Sequence, residues 1–179
     1  MKTYIALLRG INVSGQKMIR MAELKTHFEA LNFHEVQTYI QSGNVVFKSA
    51  DTTPTSLEHS ISEMIRKVYG FEVAVLVRRP EDLRHILDNN PFLQRGEDPE
   101  RLYVTFLATS PTTAQVEKLK EYDYSPEAYA LDGTTLYFFA PNGYGRAKMN
   151  NNFFESKLKV PCTTRNWKTV QVLLDMAGN

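Results

Sequence analysis

Cysteine is nearly absent, with Cys162 alone among 179 residues. A single thiol cannot close an internal disulfide, so no disulfide framework holds this fold, and the composition fits a reducing compartment. An excess of charge is lacking as well. Lys and Arg number 21 against 20 Asp and Glu, for a net +1, which gives no global attraction to nucleic acid or to an anionic membrane surface. No apolar run approaches the ~20 residues of a membrane span. The first apolar stretch is cut at Arg9, which predicts no secretory signal. Asn12-Val13-Ser14 therefore reads as a chance match to a glycosylation acceptor. The four histidines, His27, His34, His59 and His85, show no paired ligand spacing, so neither a metal nor a cofactor is expected. These absences lead to the expectation of a cytoplasmic protein without a membrane partner.

What is present is enough apolar material, 42% of residues, for one generous core or two small ones. Thr3 to Leu8 reads as a buried strand, and Met21, Leu24, Phe28 and Leu31 recur at helical spacing. Glu35 to Gln41 and Asn44 to Lys48 form a hairpin around Ser42-Gly43. Pro54 opens a helix with Leu57, Ile61, Met64 and Val68 on one face, stopped by Gly70. Val73 to Val77 completes a β-α-β-β-α-β order, the ferredoxin-like unit. After a short helix at Pro80 to Asn90 and a connecting stretch to Glu100, the order repeats. Leu102 to Leu107 is a strand, Thr112 to Tyr122 a helix, and Ala128 to Leu131 and Thr135 to Phe139 flank the Asp132-Gly133 turn. A helix at Asn150 to Lys159, a strand after Pro161 and a last helix bearing Trp167, Val170 and Leu174 follow. The predicted fold is α+β, two ferredoxin-like halves packed together (1–79 and 101–179) joined by 80–100, with an extra C-terminal helix.

Polar motifs fall at the ends of these strands. In Leu7 to Gly15, Arg9, Gly10, Asn12 and Gly15 follow the first strand; Ser42, Gly43 and Asn44 form the hairpin turn. Later come Gly143 to Lys148 and Thr163-Thr164-Arg165-Asn166-Trp167. In a ferredoxin-like unit the loop after strand 1 and the turn between strands 2 and 3 share one sheet edge. The segments after strands 3 and 4 share the opposite edge. The topology thus gathers Arg9, Gly10, Asn12, Gly15, Ser42, Gly43 and Asn44 in the first half. In the second half it gathers Arg146, Lys148, Arg165 and Asn166.

Both clusters are rich in donors and poor in proton carriers, which favours holding an anion over breaking a bond. Gly10 and Gly15 have the separation of a phosphate-loop pair, but Lys17 comes one position late and no Ser or Thr for magnesium follows it. Structural roles compete at each position. Arg9 and Asn12 can tie the loop to the hairpin, Gly43 or Asn44 can serve a positive-φ turn, and Arg165 can fix a strand end. Asn166 can cap the last helix, and Trp167 can fill core. Cys162 fits a small buried residue better than a nucleophile. Tyr4 could stand where RNA-recognition motifs place an aromatic, but Ser42-Gly43-Asn44-Val45-Val46-Phe47 stands where those motifs want a base and several aromatics. Only Gly43 matches well, so with a near-neutral net charge nucleic acid is not the expected partner.

At these motifs the chain resembles the bacterial domain-of-unknown-function 1697 family. The resemblance is carried by Leu7 to Gly15, Met21-Ala22-Glu23-Leu24, Thr38 to Phe47, Gly143 to Lys148 and Thr163 to Trp167. It implies a duplicated ferredoxin-like fold in a soluble bacterial protein and supplies no activity. Two positions depart from the family pattern, Ser14 where a second glycine is usual and Ala147 where a serine is usual. The second removes a hydroxyl and with it any serine nucleophile there. The functional expectation is binding of a small anionic ligand, phosphorylated metabolites included, by the two clusters. An enzyme using the same donors as an anion clamp and a protein-interaction module are the alternatives.

Overall fold

The computed structural model describes residues 1–178. The chain divides into two compact units, Met1–His85 with the segment from Val172 on, and Ile86–Gln171. Unit 1 holds β1 (Lys2–Leu8), α1 (Met21–Ala30), β2 (His34–Tyr39), β3 (Asn44–Ser49), α2 (Pro54–Tyr69) and β4 (Val75–Arg78). The chain passes between units within α3 (Pro80–Asp88). Unit 2 holds α4 (Pro91–Gln94), β5 (Leu102–Leu107), α5 (Thr113–Leu119), β6 (Ala128–Asp132), β7 (Thr135–Phe139), α6 (Asn151–Leu158) and β8 (Cys162–Asn166). The chain crosses again within α7 (Trp167–Met176).

Each unit carries a four-stranded antiparallel sheet, ordered β2-β3-β1-β4 in the first and β6-β7-β5-β8 in the second. This is the expected duplicated α+β plan. Its clearest signature is a pair of matching backbone bonds at the end of each central strand. Leu8 N donates to Gly43 O at 2.8 Å and Arg9 N to Ala74 O at 3.0 Å. In unit 2, Leu107 N donates to Thr134 O at 2.8 Å and Ala108 N to Pro161 O at 2.9 Å. Each central strand thus pins its own exit loop to the hairpin turn on one side and to the last strand on the other.

Alternation along β1 sends Tyr4, Ala6 and Leu8 into one core with Leu24, Phe28, Phe47, Ile61 and Val77. Phe47 is its hub, with ring centroids 4.5 Å from Phe33 and 5.4 Å from Phe28. Ile5 and Leu7, on the opposite face, are also fully buried. Helix α2 starts at a Thr53 cap that accepts from Ser56 N, with Pro54 in its first turn, and ends at left-handed Gly70. Its buried stripe is Leu57, Ile61, Met64 and Ile65. Val68 was expected on that stripe but is 46% exposed, because Tyr69 and Phe71 pack against the core beside it. Strand β2 stops at Tyr39 rather than Gln41, where Ile40 leaves it at a φ of +49° to enter the turn. Glu35, at φ +48°, sits at a register irregularity inside the strand.

The connecting stretch after Asn90 is structured. Asn90 Oδ1 accepts from Phe92 N and caps α4, and Phe92 is buried with its ring stacked 5.9 Å from Phe139. Helix α5 is shorter than its periodicity predicts, ending at Leu119, because Glu121 N and Tyr122 N turn back to Lys118 O and Leu119 O three residues behind. The β6–β7 turn places Gly133 at φ +60°, the glycine-first pattern of a tight hairpin.

Two glycines separate strain from contact. A Cβ on Gly43 (φ +88°) would lie 2.7 Å from Leu8 Cβ and 3.0 Å from Ile11 Cδ1, whereas one on Gly133 would meet open space. Gly133→Ala is therefore expected to lose about 1 kcal/mol, the left-handed penalty alone. Gly43→Ala should lose about 3 kcal/mol, because overpacking adds to that penalty. Urea unfolding of the two variants checks this, and equal losses would contradict the close approach at Gly43.

Candidate functional site

The β1–α1 loop is itself a small hairpin. Val13 and Gln16 form a bridge around Ser14 (φ +52°) and Gly15 (φ +71°), the double left-handed pattern of a type I′ turn. Ser14 thus takes a backbone conformation that glycine reaches without strain. Asn12 holds this loop in place. Its Nδ2 donates to Ile19 O at 3.0 Å and to Gln41 O at 2.8 Å, while its Oδ1 accepts from Ile19 N at 2.8 Å. The loop and the β2–β3 turn therefore meet at one edge, as the topology requires. Asn44, fully buried, donates from Nδ2 to Tyr39 O and to Ser42 Oγ. The loop carrying Gly10 and Asn12 thus meets the turn carrying Ser42, Gly43 and Asn44, with the Asn12 and Asn44 amides engaged within the chain. Gly15 lies at the tip of the small hairpin. Arg9 is half-buried, with its N–H on Ala74 O. Lys17 Nζ reaches Glu72 O at 2.8 Å. Around Asn12 the same edge presents Val13, Met18 and Ile40, each more than half exposed.

The unit 2 cluster is assembled differently. Loop 143–149 carries Arg146 and Lys148 as exposed side chains. Its backbone grips an anion from within: the Glu127 carboxylate accepts from Lys148 N and Met149 N at 2.9–3.0 Å. Tyr144 in this loop packs its ring 4.9 Å from Tyr103. Its hydroxyl accepts from Asn151 N at 2.7 Å and hydrogen-bonds Thr164. Burial raises the Tyr144 phenol above its ordinary range, and the bonds to Thr164 and Asn151 oppose that rise. Thr164 Oγ1 in turn meets Thr105 Oγ1 at 2.8 Å and donates to Asn151 Oδ1 at 2.8 Å. Thr163 to Asn166 lie within β8, not after it.

Arg165 is 7% exposed. Its guanidinium donates to Thr163 Oγ1 at 2.7 Å and Thr164 O at 3.0 Å, and burial pulls its pKa down to about 10. Register places Tyr137, Val104 and Arg165 in one cross-strand row. The Tyr137 hydroxyl is buried with no hydrogen-bond partner among the described residues, and burial pushes its pKa up to about 12. Asn166 Oδ1 accepts from Thr169 N at 2.8 Å and so caps α7. Trp167 is 2% exposed, as the core reading required. At this helix start lies a cleft of about 410 Å³ lined by Pro99, Glu100, Tyr103, Asn166, Trp167, Lys168 and Gln171. It is within the range of small-molecule sites, and Asn166 alone among the sequence candidates lines it.

Sequence reasoning missed Glu127, Asn151, Tyr103 and Lys168. Only the Asn150-Asn151-Asn152 run hinted at a helix start there. Cys162 is fully buried, its thiol 3.5 Å from Asn151 Oδ1. Tyr4 is interior, with its hydroxyl donating to Thr52 O at 2.9 Å. Among the described residues no three His, Cys, Asp or Glu side chains converge as metal ligands. None of the helices among them is long and apolar enough to cross a membrane.

Fold and edges together define a class, the tandem ferredoxin-like α+β proteins. A family described as protein of unknown function (DUF1697) has a model that matches residues 1–137, and the chain belongs to that family. The Gly143 to Lys148 and Thr163 to Trp167 motifs lie beyond the matched residues. The chain is also similar to the solved conserved bacterial protein SP0830 from Streptococcus pneumoniae, at 28% identity over 98% of each chain with a TM-score of 0.73. No curated protein matches.

The row of Tyr137 and Arg165 yields a pH prediction. The folded Tyr137 phenol keeps its proton up to about 12, above its ordinary 10.0, so the unfolded chain loses that proton first. This group's contribution to stability declines as pH rises through this interval, against an opposite contribution from Arg165, whose folded pKa is lowered to about 10. Tyr137→Phe should flatten that decline. It should also gain about 1 kcal/mol at neutral pH by removing an unsatisfied buried hydroxyl. Urea unfolding across the alkaline range measures both, and an unaltered decline would contradict the assignment.

Proposed function

We propose that this chain binds a small metabolite carrying one anionic group on a flat apolar body, in the cleft at the start of α7. The observation that carries this reading is the lining of that cleft. Tyr103 offers a flat wall. The N-terminal turn of α7 presents the positive end of its dipole, and Lys168 adds a full positive charge. Gln171 supplies an orientable amide, and Asn166, fixed as the α7 cap through Oδ1, supplies its amide nitrogen as a donor. Glu100, also in the lining, accepts from a ligand donor and disfavours multiply charged anions by like-charge repulsion. In this scheme Arg9, Asn12, Ser42 and Asn44 brace unit 1. Arg165 braces β8, and the exposed Arg146 and Lys148 add to the positive potential of unit 2.

A thermal-shift screen tests the proposal with aryl carboxylates, nucleoside monophosphates, sugar phosphates and sulfate. Ligand at a hundredfold its dissociation constant stabilises by about 2.7 kcal/mol, about 5–11 °C for a chain of this size. An aromatic monoanion should give such a shift, and Lys168→Glu should abolish it while leaving the unliganded melting temperature near that of the parent. No shift from any compound would overturn the reading. A shift that survives Lys168→Glu but disappears in a folded Arg9→Ala variant would move the site to unit 1.

A further inference from the structure

A second concave surface in unit 2 has a different chemistry. Between α5 and α6 lies a cleft of about 300 Å³ whose lining includes Lys118, Lys157 and Lys159 together with Gln115, Ser156 and Tyr122. No carboxylate lines it. The nearest acidic side chains on the same two helices are engaged elsewhere: Glu117 Oε1 pairs with Lys120 Nζ at 2.9 Å, and Glu155 Oε2 accepts from Cys162 N at 3.0 Å. Asp123 Oδ1 accepts from Ser125 N. None of the three lysines has a carboxylate partner among the described residues.

The chain places the Lys157 ammonium and the Lys159 backbone. Lys157 Nζ sits 4.6 Å from the Tyr122 ring centroid and 5.8 Å from that of Phe153. Aromatic faces hold an ammonium without neutralising it. Lys159 occupies the left-handed position that ends α6, at φ +57°, with its N–H on Glu155 O. Glycine or asparagine is the usual residue there. Gln115 uses its Oε1 to accept from Thr112 N, which leaves its amide nitrogen as a donor. Ser156 contributes a hydroxyl.

We infer that this cleft is a site for a small phosphate-bearing polyanion, a diphosphate group or its equivalent. Three lysines line one concavity with no carboxylate among its lining residues, so their positive charges sum there, and a ligand with several charged oxygens matches that field as a single carboxylate cannot. Lysine meets phosphate as a mobile point charge, and the amide and hydroxyl donors suit the remaining oxygens. The volume lies at the lower end for ligand sites, which selects a compact charged group over a large organic body. This site is independent of the α7 cleft, where Glu100 disfavours such a ligand. The competing structural role is that Lys118, Lys157 and Lys159 complement the C-terminal dipoles of α5 and α6.

Titration of the full chain with pyrophosphate at constant ionic strength, followed by amide NMR, separates these roles. The expected result is saturable shifts confined to residues such as Gln115, Lys118, Tyr122 and Ser156 to Lys159, with weaker binding of monophosphate and sulfate. Lys118→Gln combined with Lys159→Gln should weaken pyrophosphate at least tenfold with the melting temperature little changed. Lys168→Glu should leave it unaltered. Shifts that do not saturate, that spread over the surface, or that persist in the double variant would overturn the site. A double variant that only loses stability, with pyrophosphate affinity intact, would assign the lysines to the helix dipoles.

Discussion

The Asn12 carboxamide makes three hydrogen bonds at once, to Ile19 O, Gln41 O and Ile19 N. Three pieces of chain meet on this group: the loop after β1, the entry to α1 seven residues on, and the β2–β3 turn 29 residues away. The loop could not otherwise hold its shape, because Asn12, Ser14 and Lys17 all have positive φ. Non-glycine residues held there cost free energy and persist only where surrounding contacts over-determine them. Gly43 completes the arrangement from the other side, its carbonyl accepting from Leu8 N and its missing Cβ admitting Leu8 and Ile11. A hydrogen-bond donor engaged inside the chain is not available to a ligand, so the motif densest in polar residues is an internal brace.

The second unit meets the same requirement more economically. The exit of β5 repeats the two backbone bonds of β1, but a two-residue turn at Gly133-Thr134 replaces the longer β2–β3 connection, and no counterpart of the Asn12 loop is needed. Its polar side chains are then used at the opposite end of the sheet. There Glu127 fills the backbone seat of loop 143–149, and Tyr144, Thr164, Thr105 and Asn151 bond one another. Among the surfaces that face solvent are the start of α7 with Lys168 and the lysine-lined groove between α5 and α6. The two proposed sites therefore both lie in the second unit, at these surfaces.

Much of the architecture was legible in the sequence because its signals are local. Pro54 and Gly70 bracket α2, Asp132-Gly133 marks a hairpin, and apolar alternation identifies β1 and β5. The meeting of the Asn12 loop with the Ser42 turn followed from topology alone, once the element order was read. Other features depend on partners distant in sequence and leave no periodic trace. Glu127 reaches Lys148 N across 21 residues, and nothing in the residues around it announces an anion seat. The left-handed Ile40 and the exposure of Val68 reflect competition with tertiary neighbours that propensity does not encode. Lys118, Lys157 and Lys159 look like ordinary surface charge until two helices bring them to one groove. Candidate residues chosen by motif density thus included Asn12 and Asn44, whose amides are engaged internally, and did not include Lys168, on which the proposed site rests.

The central claim is that the polar residues of the unit 1 edge hold the fold. Its most direct test is the urea unfolding free energy of Asn12→Asp at neutral pH. The substitution keeps the side-chain shape and the acceptor for Ile19 N but replaces both N–H donors with an anionic oxygen facing Ile19 O and Gln41 O. With about 1 kcal/mol for each lost hydrogen bond and the repulsion added, the account predicts a loss of about 3 kcal/mol. A change within about 0.5 kcal/mol, typical of a solvated surface position, would contradict it and return Asn12 to the pool of residues available to a ligand.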